Sequence, residues 1–224
     1  FDISKFQNFK KKIIYIPVED MPGGKNPWIR EGFQRNCISR GIKQASDDDL
    51  ILISDLDEIP NPKLILNFNS SMKYAVFKQK HFYYKINLHS QKNPFWLGSR
   101  ICVKKYLKSP QWLRELKFKK RPFWRLDKLR LNNILESGGW HFCNLKNAEE
   151  LLYKYRNLCE TNDSFIFNES IDQKYLDLES IKKKISSGED IIGRNDSFKK
   201  IRIDNSFPKY ILKNIPLYKD WIAN

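Results

Sequence analysis

The stretch DDDLILISDLDEIPNP, residues 47–62, decides the fold interpretation, because an acidic run, an apolar run and a carboxylate-rich turn follow one another in it. Residues 50–53, Leu-Ile-Leu-Ile, have the length and composition of a buried strand. Asp55, Asp57 and Glu58 come directly after that run, before two prolines that favour a turn. Like charges held this close repel one another unless a cation compensates them. The stretch therefore predicts a strand whose carboxyl end carries a cation-dependent site.

The segments before this strand indicate an α/β domain. An apolar run at 12–18, KIIYIPV, precedes a helix-like segment at 26–45 that begins with an Asn-Pro pair. Strand, helix and the strand at 50–55 together form a βαβ unit, which favours a mostly parallel central sheet flanked by helices. In such sheets the ligand lies just beyond the carboxyl ends of the strands, which is where the acidic turn begins.

The rest of the chain is consistent with a single domain over residues 1–224. An apolar run at 74–88 is long enough for two strands or one bent strand. Helices are expected at 147–159 and 173–186, and the aromatic tail is expected to pack as a short closing helix. We therefore expect a helical, irregular C-terminal part from about residue 146.

Composition and charge narrow the class of partner. The chain has 224 residues, 41% of them hydrophobic, which is enough for one sizeable core. Its formal net charge of +15 favours anionic partners, although solvated surface lysines explain much of it. The basic aromatic stretch 117–125, KFKKRPFWR, leaves peripheral contact with an acidic membrane surface open. A basic nucleic-acid-binding module is an alternative, but no nucleic acid is expected as a partner.

Cysteine spacing and hydropathy bear on the compartment. The four cysteines are widely spaced and form no CxxC pair, so neither a zinc cluster nor a disulfide framework is indicated. No apolar stretch approaches the ~20 residues of a membrane span. We expect a cytoplasmic or peripheral membrane protein. The chain begins at Phe1, and a Golgi-type location is an option if an N-terminal segment precedes it.

The acidic turn favours a divalent cation bound together with phosphate. Asp55 and Asp57, two positions apart on an extended segment, project the same way. A hard cation such as Mg²⁺ or Mn²⁺ is often held by one or two carboxylates plus substrate phosphates. A polar turn without chemistry is the alternative. The phosphatases that share an apolar strand and Asp-x-Asp look like DxDGT, whereas Glu58 and Ile59 follow here.

Three segments, read in order, resemble the signature blocks of glycosyltransferase family seventeen. They are NPWIREGFQRN (26–36), ISDLDEIPNP (53–62) and GGWHFCNL (138–145). The segment 191–214, from IIGRNDSF to FPKYILKN, is similar to the family's C-terminal pattern. The best known members are β-1,4-mannosyl-glycoprotein β-1,4-N-acetylglucosaminyltransferases. The resemblance implies a GT-A-like fold, a DxD motif that holds Mn²⁺ or Mg²⁺ on the donor, UDP-GlcNAc as donor, and an inverting transfer. Family members usually carry a first strand–helix unit upstream of the 12–18 run, and this sequence begins after that point.

The resemblance also suggests roles for individual residues of the metal site. Asp57 is expected to be a catalytic metal ligand, and Asp55 to contact the metal or the donor ribose. His141 is expected to complete the metal shell, with a buried structural histidine as the alternative. His81 and His89 are interpreted as structural.

Further residues are candidates for donor binding and for proton transfer. Trp140 is expected to stack on a sugar face, and its being a core tryptophan is an equally open interpretation. Glu136 precedes the Gly-Gly-Trp-His block and is the candidate general base, although a surface carboxylate is the stronger interpretation. The polar block of the first helix is expected to bind the donor through Arg30, Glu31, Arg35 and Asn36, because the planar fork of Arg matches phosphate. An ion-paired helix face is the alternative.

Together these observations predict a metal-dependent inverting glycosyltransferase that moves a sugar, GlcNAc in the favoured reading, from a nucleotide diphosphate to a glycan acceptor. A protein N-glycan, a lipid-linked glycan and a surface polysaccharide are all open as acceptors. An inactive nucleotide-sugar-binding protein is a further alternative.

Overall fold

The structure is a computed structural model that describes residues 2–24, 26–117, 133–157 and 177–223. In these ranges eight strands form one sheet. The strands are β1 (Leu50–Ile53), β2 (Glu58–Pro60), β3 (Tyr74–Tyr83), β4 (Leu88–Ser90), β5 (Phe95–Val103), β6 (Ile134–Leu135), β7 (Gly139–Cys143) and β8 (Phe198–Lys200).

The long strand β3 organises the sheet. Along one edge it pairs with β5 and then with β4. Strands that are hydrogen-bonded to one another follow the order β1-β5-β3-β4-β8. Along its other edge it pairs with β6 and then with β7, and β2 adds to β7. The run predicted at 74–88 therefore spans β3 and the first residue of β4.

The sheet is mixed and mainly antiparallel, so the expected α/β class with a mostly parallel, GT-A-like central sheet is wrong. Of the seven strand pairings, the five that join β1–β5, β2–β7, β3–β4, β3–β5 and β4–β8 are antiparallel. Two, β3–β6 and β3–β7, are parallel. The predicted βαβ unit fails because residues 13–18 form no strand, and Ile14 and Tyr15 are exposed by 66% and 59%. An apolar run forms a strand only where a neighbouring strand pairs with it.

The helices are short and most of them carry clear start signals. They are α1 (Pro27–Asn36), α2 (Pro62–Leu66), α3 (Pro110–Glu115), α4 (Ala148–Asn157), α5 (Leu178–Ser187) and α6 (Lys209–Lys213). Segments of 3-10 helix cover Ile3–Lys12, Cys37–Arg40, Ser70–Met72, Lys104–Tyr106 and Ile215–Trp221.

Caps explain several helix boundaries. The Asn26 side chain accepts a hydrogen bond from the Trp28 amide at the start of α1, where Pro27 needs no partner for its nitrogen. The Asn147 and Glu150 side chains cap each other's amides at 2.8 and 3.1 Å at the start of α4. Gly188 ends α5 in the left-handed conformation, with φ at 70°.

The core is divided by the sheet. One group of buried side chains lies under α4 and α5, among them Tyr84, Leu151 and Ile181. A second group joins the sheet to the C-terminal tail through Phe82, Phe142, Phe207 and Ile211, so the tail packs against the domain as expected. A third lies between β1 and α3 and contains Ile53 and Leu113.

Two features bear on the surroundings of the protein. Within the described ranges no helix has the length and apolar character that crossing a membrane requires. Cys37, Cys102 and Cys143 are free thiols, and Cys159 lies outside the described residues.

Candidate functional site

The acidic turn and the Gly-Gly-Trp-His segment, distant in sequence, are neighbours in the sheet. β2 pairs with β7 so that Glu58 faces His141, Ile59 faces Trp140 and Pro60 faces Gly139. The Phe142 amide also donates to the Asp57 carbonyl at 2.9 Å. Two of the three segments that resemble a family signature thus form one structural unit.

The two glycines are needed for this pairing. A Cβ on Gly139 would lie 2.1 Å from the Ile59 carbonyl oxygen, and the residue has φ at +118°. A Cβ on Gly138 would lie 2.5 Å from the Lys78 amide nitrogen. The two glycines therefore allow a close approach between β7 and the backbone of β2 and β3.

Arg114, which sequence reasoning did not single out, provides the cation that the acidic turn requires. Its Nη2 lies 2.6 Å from both Asp55 Oδ2 and Glu58 Oε1, and its Nη1 lies 2.9 Å from Glu58 Oε2. The Glu58 side chain is fully buried, and that of Arg114 is 12% exposed. A guanidinium that bridges two carboxylates removes most of the repulsion within the turn.

The pKa values of this buried pair follow from the same contacts. Burial raises the pKa of Glu58, but the hydrogen bond and charge of Arg114, together with a hydrogen bond from Trp96, outweigh it and leave the pKa below its usual value. Burial lowers the pKa of Arg114, and Glu58 and Asp55 reverse that effect, so the net shift is upward. Both groups are charged at neutral pH.

Polar side chains of β3 and β5 complete the pocket around Glu58. Trp96 Nε1 donates to Glu58 Oε1 at 2.8 Å, and Ser99 Oγ lies 3.3 Å from Glu58 Oε2. Gln79, fully buried, accepts from the Ser99 amide at 3.1 Å. Gly98 leaves room for this network, because a Cβ there would lie 2.0 Å from Gln79 Oε1.

The polar block of α1 reaches the acidic turn through one arginine. Arg35 Nη2 lies 2.8 Å from Glu31 Oε1 and 3.6 Å from Asp55 Oδ1. Its Nη1 donates to Gln111 at 2.6 Å. Asn36 Oδ1 accepts from the Gln111 amide at 3.0 Å, which joins α1 to α3. Arg30 instead donates to the Gly24 carbonyl.

Asp57 differs from its two acidic neighbours in its ion-pair partner, which is an imidazole and not an arginine. Its side chain is 36% exposed, against 42% for Asp55 and 0% for Glu58. His141 Nε2 lies 3.4 Å from Asp57 Oδ1. Burial raises the pKa of Asp57, but the His141 hydrogen bond and charge and the charge of Lys154 bring it below the usual value. Asp57 is therefore an ionised carboxylate with solvent access.

Next to Asp57, His141 belongs to an aromatic and thiol cluster on one face of the sheet. Its ring stacks on that of His81, with centroids 4.7 Å apart and planes 6° from parallel, and Trp96 lies beside both. Burial and the charge of His141 lower the pKa of His81 to about 4. Burial raises the pKa of the Cys143 thiol to about 12. One ring nitrogen of each histidine and the Cys143 sulfur lie within 4.8 Å of one another.

The remaining predicted residues lie elsewhere in the fold. Trp140 donates through Nε1 to the Ser206 carbonyl at 3.0 Å and packs against the tail. Glu136 lies in the turn between β6 and β7, is 68% exposed and pairs with Lys78 at 3.0 Å. The basic stretch 117–125 lies almost wholly outside the described residues.

Sequence reasoning found the acidic turn but missed the groups that hold it. Arg114 lies in α3, within the ordinary amphipathic stretch PQWLRE at 110–115. The available signals were indirect: Ser109 and Pro110 mark a helix start, and an excess of carboxylates in the turn requires a cation. Neither signal says which of the chain's many basic residues supplies the cation.

Comparison with known families identifies a relationship over most of the chain. The family model described as Glycosyltransferase family 17 matches residues 2–202. This match confirms the resemblance that the three segments suggested. Comparisons with curated proteins and with solved structures give no match.

Proposed function

Because the chain belongs to glycosyltransferase family 17, we propose that it is a metal-dependent inverting transferase that moves GlcNAc from UDP-GlcNAc to a glycan. Membership of the family supports a glycosyltransferase that uses a nucleotide-sugar donor and an acceptor. The metal, the donor sugar and the stereochemical course are the proposed part.

The observation that supports this proposal most directly is that the three carboxylates of the acidic turn have different partners. Asp55 and Glu58 are ion-paired with Arg114, whereas the ionised Asp57 lies beside the His141 imidazole at 3.4 Å and its side chain is 36% exposed. Asp55 is similarly exposed, by 42%, but its charge is already met by Arg114. A carboxylate such as that of Asp57 suits a hard divalent cation, which is bound by one or two carboxylates plus phosphate oxygens. We assign Asp57 as the protein ligand of a donor-bound Mn²⁺ or Mg²⁺.

The bound cation would neutralise the charge that develops on the leaving diphosphate. Arg114 and Arg35 lie 2.6 and 3.6 Å from the Asp55 carboxylate. We propose that this carboxylate contacts the donor ribose. His141 as a second ligand stays a prediction, since its Nε2 faces the Asp57 carboxylate at 3.4 Å.

The transfer itself is a displacement at the anomeric carbon of the donor sugar. The acceptor oxygen forms the new bond, the bond to the diphosphate oxygen breaks, and the acceptor proton passes to a general base. Glu136 is the proposed base. It is exposed and bonded to Lys78, and an incoming acceptor hydroxyl would have to compete with that lysine.

Trp140, Arg30, Glu31 and Asn36 complete the proposed donor-binding set. Trp140 is held by Ser206, and Glu31 by Arg35. These side chains are already bonded within the protein. They can bind the donor only through atoms that stay exposed, or by exchanging their present partners for the donor.

A donor screen tests the proposal. The full chain is incubated with UDP-GlcNAc, UDP-GalNAc, UDP-glucose, UDP-galactose and GDP-mannose, with Mn²⁺ or with EDTA, and release of nucleoside diphosphate is measured. We expect release with UDP-GlcNAc in Mn²⁺ and none in EDTA. Equal release in EDTA would contradict metal dependence, and release from another donor alone would contradict the assigned sugar.

A further inference from the structure

Two buried imidazole nitrogens lack a hydrogen-bond partner within the described residues, and they belong to stacked rings. They are Nε2 of His81 and Nδ1 of His141. The residues are only 4% and 7% exposed. Buried polar atoms in native proteins are almost always paired, and an unpaired one calls for an explanation such as an unseen ion or water.

The proton positions follow from the partners of the opposite nitrogens. His81 Nδ1 lies 3.2 Å from the Asn93 carbonyl oxygen, which can only accept, so Nδ1 carries the proton. His141 Nε2 lies 3.4 Å from the Asp57 carboxylate, which likewise accepts. When its ring is neutral, each unpartnered nitrogen therefore presents a lone pair in a place that water hardly reaches.

A thiol lies close to these two rings because of the strand register. β3 and β7 run parallel with His81 opposite His141, and Cys143 follows two residues later on the same face of β7. One nitrogen from each ring and the Cys143 sulfur lie within 4.8 Å of one another. Among the residues that the structure describes, these three are the group of His, Cys, Asp or Glu side chains whose ligand atoms lie close enough to share a metal ion.

We propose that His81, His141 and Cys143 form a binding site for a borderline-soft transition-metal ion, with Zn²⁺ as the expected occupant. Two imidazoles and a thiolate are a zinc donor set, and hard Mg²⁺ or Ca²⁺ prefers oxygen ligands. One proton leaves the Cys143 thiol when the ion binds, because the thiolate is the ligand. A water molecule would take the fourth position of a tetrahedral ion.

Both histidines already have the outer contacts that metal-bound histidines need. Such a ligand usually donates its second N–H to a carboxylate or a backbone carbonyl, which fixes the tautomer. His141 has Asp57 in this role, and His81 has the Asn93 carbonyl. A stacked pair of core histidines with no ligand role would have no need for both lone pairs to remain free.

Metal uptake requires a small local rearrangement. With Zn–N near 2.0 Å and Zn–S near 2.3 Å, ligand atoms around a tetrahedral ion lie about 3.3–3.7 Å apart. The present separations reach 4.8 Å, and ring planes 6° from parallel direct their lone pairs side by side. The two rings must therefore tilt toward each other, and their stacking changes on binding.

This site uses His81, His141 and Cys143, whereas the proposed donor-bound cation is held by Asp57, and it does not depend on sugar transfer. With zinc bound, His141 does not serve as the second ligand of the donor-bound cation, because its Nε2 keeps a proton. A neutral imidazole has one lone pair, so an ion at His141 Nδ1 keeps the proton on Nε2, where it is donated to Asp57. The zinc ion would then orient the exposed carboxylate through His141. Its charge would be balanced by the Cys143 thiolate and by Asp57.

The test measures metal content directly. The untagged full chain is purified, loaded with Zn²⁺ or Co²⁺, desalted and analysed for bound metal and for the near-ultraviolet sulfur-to-cobalt absorption band. We expect about one ion per chain and the cobalt band in the wild type. Cys143→Ser should lose the band, and Cys143→Ser and His81→Gln should each weaken zinc binding by at least about 10-fold.

Two controls keep the test specific. Cys37→Ser removes a buried thiol outside the cluster, and His89→Gln removes the one other histidine of the sequence. Both variants should bind the metal as the wild type does. The proposal is overturned if the wild type binds no stoichiometric zinc, or if Cys143→Ser and His81→Gln bind zinc as tightly as the controls.

Discussion

Arg114 and Glu58 face each other through two hydrogen bonds, from Nη1 to Oε2 at 2.9 Å and from Nη2 to Oε1 at 2.6 Å. The pair joins α3 to the start of β2, residues 56 positions apart in sequence. Because Arg114 also reaches Asp55, one guanidinium holds the carboxylates on both sides of Asp57. We expect the exposed position of Asp57 to depend on that support.

Arg114→Met should destabilise the protein by about 3–5 kcal/mol, because it leaves the buried Glu58 carboxylate without its cation. Urea unfolding followed by circular dichroism measures the loss. The double variant Arg114→Met/Glu58→Leu should recover part of it, since the unpaired Glu58 carboxylate is then no longer buried. A double variant as unstable as the sum of the single changes would contradict the pairing.

Arg40→Met is the matched control for this experiment. Arg40 makes a similar pair with Asp20, at 2.6 Å, but its side chain is 38% exposed. Exposed pairs contribute only about 0–1 kcal/mol. A large loss of stability in Arg40→Met would mean that burial does not set the difference.

Gly139→Ala should destabilise the fold by roughly 3 kcal/mol, through both a steric clash and a positive φ. The new Cβ would lie 2.1 Å from the Ile59 carbonyl oxygen at φ +118°. Gly23→Ala is the control, since nothing lies within 4 Å of its added Cβ. The melting temperatures of both variants are measured by thermal unfolding. Equal melting temperatures would show that β2 and β7 do not approach as closely as described.

His141→Ala should raise the Mn²⁺ concentration required for half-maximal activity by about 10-fold, because Asp57 loses the imidazole beside its carboxylate. The measurement is nucleoside diphosphate release as a function of Mn²⁺ at saturating donor. His89→Gln is the control, since His89 bonds to the Pro94 carbonyl. An unchanged Mn²⁺ dependence in folded His141→Ala would remove His141 from the site.

Asp196→Asn should reduce the free energy of unfolding at pH 7 by about 1–3 kcal/mol. The substitution replaces a buried, charged carboxylate by a neutral amide, so the hydrogen bonds that the carboxylate accepts are weakened or lost. Asp196 accepts from Ser90, the Lys92 amide, Asn93 and the Ser197 amide. Burial raises the pKa of Asp196, but these hydrogen bonds outweigh it and leave the pKa below its usual value.

A lowered carboxyl pKa has a defined effect on acid stability. The contribution of Asp196 is fully present above the unfolded-state value of about 3.9 and is lost as the pH falls through the lower folded-state pKa. Urea midpoints at pH 7 and pH 3 should therefore differ more in the wild type than in Asp196→Asn. Asp47→Asn, a change at an exposed carboxylate, should leave the pH dependence nearly as it is. Equal pH dependence of Asp196→Asn and the wild type would contradict the assignment.

Local signals in the sequence predicted local structure well. The Asn-Pro start of α1 is seen, and the helices expected at 147–159 and 173–186 are α4 and α5. Asn147 caps the start of α4 and Gly188 ends α5, and such caps act over a few residues. The strand predicted at 50–55 is seen over Leu50–Ile53, because its apolar run is short and bounded by polar residues.

Pairing partners and distant contacts could not be predicted. The run 12–18 has strand-like composition but finds no neighbour, and β1 pairs with β5, residues 95–103, in antiparallel orientation. Composition alone does not specify which edge a strand joins, so the parallel βαβ interpretation failed. Arg114 and Cys143 were missed for the same reason: their roles come from what the sheet and α3 place beside them.

The most direct test of the proposed function is the turnover of Asp57→Asn. Nucleoside diphosphate release from UDP-GlcNAc is measured in Mn²⁺ for the wild type, for Asp57→Asn and for Asp47→Asn, the same change at an exposed carboxylate before β1. We predict that Asp57→Asn loses about 100-fold or more, as is typical when one electrostatic group at a reacting centre is removed. Asp47→Asn should retain the wild-type rate. Near wild-type turnover by folded Asp57→Asn would contradict the assignment of the acidic turn as the metal-binding site of a glycosyltransferase.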